Sequence, residues 1–109
     1  MPKPKEDRVF LEHMLHYIEV AERQLHAKNR GETEELAVQK CIENIGEAAN
    51  NISGALKQTH ADVPWRDVID TRNIVIHGYF GVSMERLWDI VEDDLPPLKQ
   101  QIQTILEKL

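Results

Sequence analysis

From Trp88 to the end of the chain, apolar residues fall at Trp88, Val91, Leu95, Leu98, Ile102, Ile105 and Leu109, with spacings that alternate between three and four. That rhythm draws one apolar stripe along a helix and requires partner helices to cover it. The stripe crosses Pro96-Pro97, where two backbone N–H groups are missing and a helical hydrogen-bond ladder must be interrupted. The simplest solution restarts the helix at this point, with Asp94 as its cap, both prolines in its first turn and the phase of the seam unchanged.

The upstream half repeats the helical period. Phe10, Leu11, Met14, Leu15, Ile18, Ala21 and Leu25 form one stripe, which predicts a first helix starting after a capping Asp7 and leaving residues 1–6 as a flexible tail. Residues 28–31 read as the turn that ends it. Thr33, followed by Glu34 and Glu35, opens a second helix whose apolar face runs Leu36, Cys41, Ile42, Ile45, Ala48, Ala49 and Ile52. Gly46, Ala48 and Ala49 are small enough to admit a neighbouring helix at close range. Ser53-Gly54 interrupts the pattern, and residues 55–59 fit a further helical turn. Pro64 suits the first turn of the next helix, where a missing N–H costs little. That helix carries Trp65, Val68 and Ile69 and runs to Gly78 or Gly81, and Ser83 caps the one after it. The β-branched run Ile74–Ile76 could form a strand, but it is short and no second strand pattern exists to pair with it. The expectation is an all-α, up-and-down bundle of four to five helices in one domain over residues 1–109, with a dimer relieving the modest burial available to so small a bundle.

Composition narrows the function classes. The net charge of −6 argues against a nonspecific nucleic-acid coat, which would be basic. Between residues 64 and 86, however, Arg66, Arg72 and Arg86 balance Asp67, Asp70 and Glu85, so the excess acid lies elsewhere. The single cysteine, Cys41, cannot close an intramolecular disulfide and reads as a small core residue. No apolar run approaches membrane-spanning length, and the N-terminus has no signal-peptide pattern, which together point to the cytoplasm.

Within this frame one octapeptide stands apart: Arg72-Asn73-Ile74-Val75-Ile76-His77-Gly78-Tyr79. It joins an anion-binding guanidinium to an imidazole whose ordinary pKa, about 6.5, suits proton transfer near neutrality. On one helix Asn73 and His77 share a face, whereas Arg72 and His77 lie about 140° apart. Two solutions remain open: the helix loosens at Gly78, or the groups meet across a twofold axis, Arg72 of one chain beside His77 of the other. Metal-free cleavage of RNA needs these tools: a base for the 2′-hydroxyl, an acid for the leaving oxygen and a cation at the phosphate. Two His77 side chains in one dimer cleft could divide the acid and base roles. Against this stands the commoner use of an arginine and a histidine on a helix as surface or capping groups. His13 and His16 have metal-like spacing but no third ligand, and they read as surface residues. Trp65 and the Leu87-Trp88 pair read as packing anchors.

The octapeptide resembles the R-N-x-x-x-H signature of the HEPN superfamily, and its extension to Tyr79 is similar to the HepT branch. Residues 45–48, 64–67 and Trp88 through Leu98 agree with the same branch, so the resemblance covers most of the chain. It implies a dimeric, all-α toxin of a two-gene, type VII-like toxin–antitoxin module. It also implies a ribonuclease that uses neither metal nor other cofactor, with tRNA among the branch's targets. The implied catalytic residues are Arg72 and His77, supported by Asn73. The implied partner is a minimal nucleotidyltransferase that silences the toxin by transferring AMP to Tyr79. Some members of the superfamily do not cleave, so the alternative is a helical dimer module that binds and regulates the nucleotidyltransferase.

Overall fold

The computed structural model describes residues 4–76 and 84–109. Helix α1 spans Pro4–Leu25, α2 Glu32–Asn51, α3 Gly54–Thr59, α4 Trp65–Ile76, α5 Met84–Asp89 and α6 Leu95–Lys108, with a π-helical turn, Ile90–Asp94, joining α5 to α6. The described residues contain no strand. The all-α bundle expected from the periodicity is therefore present, as four main rods and the short α3. The sequence-predicted stops at Gly78 or Gly81 and the Ser83 cap lie outside the described residues.

The rods run up and down. The start of α1 meets the residue after α2, where Asp7 reaches Ser53, and it also meets the end of α6, where Arg8 donates to the carbonyls of Leu106 and Leu109. At the other end of the α1–α6 pair, Lys99 Nζ lies 3.0 Å from Glu22 Oε1. Past the Ser53 corner the chain returns along α2: Val68 and Arg72 meet Gly46, and Met84 lies at Gln39. The core between these rods is built from Leu11, Met14, Ile18 and Ala21 of α1, from Val38, Cys41, Ile42, Ile45, Ala48 and Ala49 of α2, and from Leu95, Leu98, Ile102 and Ile105 of α6.

Several local expectations need correction. Residues 4–6 belong to α1, so only residues 1–3 of the expected tail lie outside the described part. Asp7 does not cap a helix. It is buried, and its carboxylate accepts from Ser53 N–H at 2.9 Å and Ser53 Oγ at 2.7 Å, while Ser53 Oγ accepts from Leu56 N–H and so caps α3. Pro64 sits just ahead of α4, where its carbonyl accepts from Val68 N–H. The second helix starts at Glu32, one residue before Thr33, with Glu34 accepting from Gly31 N–H at 2.9 Å. Leu36 is 56% exposed, because Val38, Cys41, Ile42 and Ile45 choose the buried face and Leu36 lies about 200° from Val38. Leu109, the end of the predicted seam, is exposed beyond the last helical turn.

The largest correction concerns the double proline. Asp94 stays in helical conformation and makes no capping hydrogen bond; instead Leu95 N–H bonds to the Ile90 carbonyl, five residues back. A proline ring clashes with the carbonyl four residues before it, so Pro96 and Pro97 press on those of Glu92 and Asp93. Widening the turn to a π geometry relieves both clashes without ending the helix. The extra residue rotates everything upstream. Leu87 and Ile90 are buried, and Trp88, which the unslipped seam would place inside, is only half-buried. The seam's phase therefore survives from Val91 onward but not before it.

Candidate functional site

Arg72 is fixed by the contact between α2 and α4. A Cβ added to Gly46 would overlap the Arg72 Cβ and come within 3.1 Å of Arg72 Cγ and of the Val68 carbonyl. Only glycine lets the two backbones approach this closely, as the run of small residues in α2 suggested. The base of the Arg72 side chain thus sits on bare backbone, and the side chain is 17% exposed.

The guanidinium is then held from two sides. Asn73 Oδ1 accepts from Arg72 Nε at 3.2 Å and from Nη2 at 2.8 Å. Glu47 Oε2 accepts from Nη1 at 2.8 Å. An arginine fork is rigid and planar, so these three contacts fix its orientation rather than merely its position. Asn73 is thus brought to Arg72, the partner beside it in sequence. His77 and Tyr79, the other two expected site residues, lie outside the described residues.

Glu47 is a residue that sequence reasoning missed. Periodicity marks it as solvent-facing, which it largely is, and nothing in its spacing ties it to Arg72 25 positions away. The available signal was its neighbour: a glycine in mid-helix marks where another helix crosses, and the following residue flanks that crossing.

Other chemistry-bearing groups are set aside by their surroundings. Burial pushes the Cys41 thiol up, only partly offset by the Arg23 guanidinium, so the thiolate is disfavoured and the sulfur is a poor nucleophile. Burial lowers Lys57, with the Asp7 carboxylate acting in the opposite sense. His13 and His16 are exposed on α1, edge-on to Phe10 and Tyr17. Among the described residues no group of three or more His, Cys, Asp or Glu side chains is placed to hold a metal ion. A cleft of about 310 Å³ opens beside α4, floored by Ile42, Ile45 and Leu98 and rimmed by Asp67, Asp93 and Asp94. Its acidic rim would repel a phosphate. No helix among the described residues is long and apolar enough to cross a membrane.

Comparison with known proteins places the chain. Residues 11–105 match the family model described as "Ribonuclease HepT-like". The chain is 33% identical over 112 residues to a Methanocaldococcus jannaschii protein named "Gamma-glutamylcyclotransferase and putative RNase", a match covering 96% of this chain and 50% of the relative. It is 39% identical over 71 residues to the "Probable ribonuclease HepT" of Thermococcus cleftensis, covering 65% of this chain and 64% of the relative. The matches therefore span less than two thirds of these relatives' lengths. No solved structure matches the chain. The family match extends over α1 through α6 and includes the Gly46–Arg72 crossing, and on that basis the chain belongs to the ribonuclease HepT-like family.

Proposed function

We propose that this chain is a metal-independent RNA endonuclease, the toxin of a two-gene toxin–antitoxin module. The observation that carries the reading is Arg72, whose largely buried side chain is held in one orientation by Asn73 and Glu47, five positions before His77 in the sequence. An anchored fork is ready to receive a phosphodiester without first losing side-chain entropy. Family membership supports the same reading.

In the proposed reaction His77 takes the proton of a ribose 2′-hydroxyl. The 2′-oxygen attacks phosphorus while Arg72 stabilises the added negative charge. The bond from phosphorus to the 5′-oxygen breaks, and the second His77 of a homodimer cleft returns a proton to that oxygen. The products are a 2′,3′-cyclic phosphate and a free 5′-hydroxyl. Helical spacing would set Arg72 and His77 about 140° apart, so in this reading the cleft is built by two copies, Arg72 of one protomer working with His77 of its partner. AMP carried on Tyr79 would add charge and bulk two residues from the base and silence the site, with a minimal nucleotidyltransferase as the donor. The setting is the cytoplasm, the substrate class RNA, tRNA included, and the functional unit one domain over residues 1–109.

The Glu47 contact favours one competing reading. Arg72 already has a carboxylate partner, as it would in a non-catalytic dimer module that binds and regulates the nucleotidyltransferase. Incubating the purified protein with tRNA and with single-stranded RNA in EDTA separates the two. The ribonuclease reading predicts cleavage that ends in cyclic phosphates, that a 2′-deoxy substitution blocks, and that His77→Ala and Arg72→Ala each reduce at least a hundredfold with the helical spectrum unchanged. Equal inertness of wild type and both variants on every RNA tested would establish the module reading. For Tyr79, the expected result is one added AMP by mass spectrometry after incubation with the nucleotidyltransferase and ATP, absent in Tyr79→Phe.

A further inference from the structure

The π turn does more than accommodate two prolines. By turning α5 it moves Trp88 out of the seam to a half-buried position, and the guanidinium of Arg30 lies over its ring, 5.0 Å from the centroid. Arg30 is exposed, it belongs to the turn before α2, and among the described residues no carboxylate pairs with it. An arginine stacked on an indole keeps its outer planar face and its N–H edge available for a further planar or anionic group.

The position of the pair gives it a purpose. Three contacts follow one another along the same helix: Arg72 at Gly46, Met84 Sδ at Gln39, 3.4 Å from its Nε2, and Trp88 at Arg30, just before α2 begins. Gly46 and Gln39 are seven residues apart, so they fall on nearly the same side of α2. From Gly46 to the start of α2 at Glu32 the distance along the helix axis is roughly 21 Å, at 1.5 Å per residue, and Arg30 lies in the turn just before it. That is a span of several nucleotides. One single strand of that length would reach both a base stacked on Arg30 and Trp88 and a phosphate at Arg72.

We infer that Arg30 and Trp88 form a secondary RNA-binding platform, which stacks an unpaired base of single-stranded substrate several nucleotides from the bond cleaved at Arg72. The inference rests on the ribonuclease reading and deepens it. Stacking uses the π face that every base presents, and the arginine adds a cation near the backbone, so the platform holds single strands with little sequence preference. It also answers a difficulty of the acidic chain: with a net charge of −6, general attraction to RNA is weak, and affinity has to come from a few placed groups. These are positioning residues that touch the substrate away from the reacting atoms.

The test uses the full chain carrying His77→Ala, which keeps RNA intact during titration. The sequence holds two tryptophans, and Trp65 is buried with its Nε1 donating to the His60 carbonyl, so a quenching ligand reaches Trp88 alone. A ten-nucleotide single-stranded RNA is expected to quench the fluorescence, and Trp88→Phe, which leaves only Trp65, abolishes the signal. Arg30→Gln weakens binding about fivefold or more. In the cleavage-competent protein, Arg30→Gln and Trp88→Ala raise KM for the ten-nucleotide RNA with kcat little changed, and they leave cleavage of a dinucleotide unaffected. Trp88→Tyr, which keeps a stacking ring, restores the KM. If the RNA binds or is cleaved, yet the fluorescence is unmoved and Arg30→Gln matches wild type, the pair only clasps the turn to α5: the platform is overturned and the ribonuclease reading stands. If RNA is neither bound nor cleaved, that reading fails, and the platform with it.

Discussion

At the scale of single residues, Gly46 carries the heaviest constraint. Replacing it with alanine would ordinarily favour a helix by about 1 kcal/mol. Here the new methyl meets the Arg72 Cβ and a backbone carbonyl, neither of which can rotate away. Overpacking costs about 1–3 kcal/mol and is relieved only by moving α4 off α2. Gly46→Ala is therefore expected to lower the urea midpoint and, because Arg72 moves with α4, to reduce RNA cleavage further than the stability loss explains. A variant as stable and as active as wild type would remove the helix crossing from the account. Cys41 gives a second test. Its pKa is raised above the ordinary 9.0, so the folded state holds the thiol proton more tightly than the unfolded chain. The stabilisation this brings is complete below pH 9 and is lost as pH rises above it. Denaturation midpoints should fall from pH 9 upward, and Cys41→Ser should flatten that fall. The role expected for Cys41 as a core residue was legible from its place on an apolar stripe. The role of Glu47 was not, because an exposed glutamate that reaches across to another helix leaves no mark in the pattern of either helix.

At the scale of elements, the stripes revealed the helices and misplaced two of their joints. Residues 7 and 53 are 46 positions apart, and no local rule announces that the side chain of one will hold the corner made by the other. Asp before a helical stripe reads as a cap by every local criterion; it is tertiary packing that buries it against Ser53. Removing the carboxylate orphans a half-buried N–H and a hydroxyl and loosens the α3 cap. Asp7→Ala is expected to cost about 2–3 kcal/mol, read from chemical denaturation, and Asp7→Asn distinctly less. An alanine variant within 0.5 kcal/mol of wild type, roughly the spread of ordinary surface substitutions, would contradict the corner's importance. The π turn was hidden for a different reason. The spacing of the seam is consistent with an unslipped helix, and only the steric demand of consecutive prolines on the carbonyls before them forces the extra residue. That one residue decides whether Trp88 lies inside the core or, as here, half-buried against its edge.

At the scale of the whole molecule, the chain is a bundle of helices in which small residues bring the backbones of α2 and α4 together and set Arg72 at their crossing. The all-α architecture was legible, because helical period is a local property; the pairing of Asn73 with Arg72 was not, because helical spacing put Asn73 on one face with His77 instead. A twofold partner leaves no periodic trace in one sequence, and the dimer is expected only from the small size of the bundle and the spacing of Arg72 and His77. The proposed chemistry nevertheless depends on assembly: five residues of continued helix would set Arg72 and His77 about 140° apart, and a twofold partner is the proposed way to unite them. The most direct test is size-exclusion chromatography with light scattering, with RNA cleavage in EDTA assayed across the peaks. The account predicts cleavage confined to a species of twice the 12.6 kDa chain mass, falling away as dilution releases protomers. Cleavage that follows the lone protomer, or a stable dimer that leaves RNA intact, would contradict it.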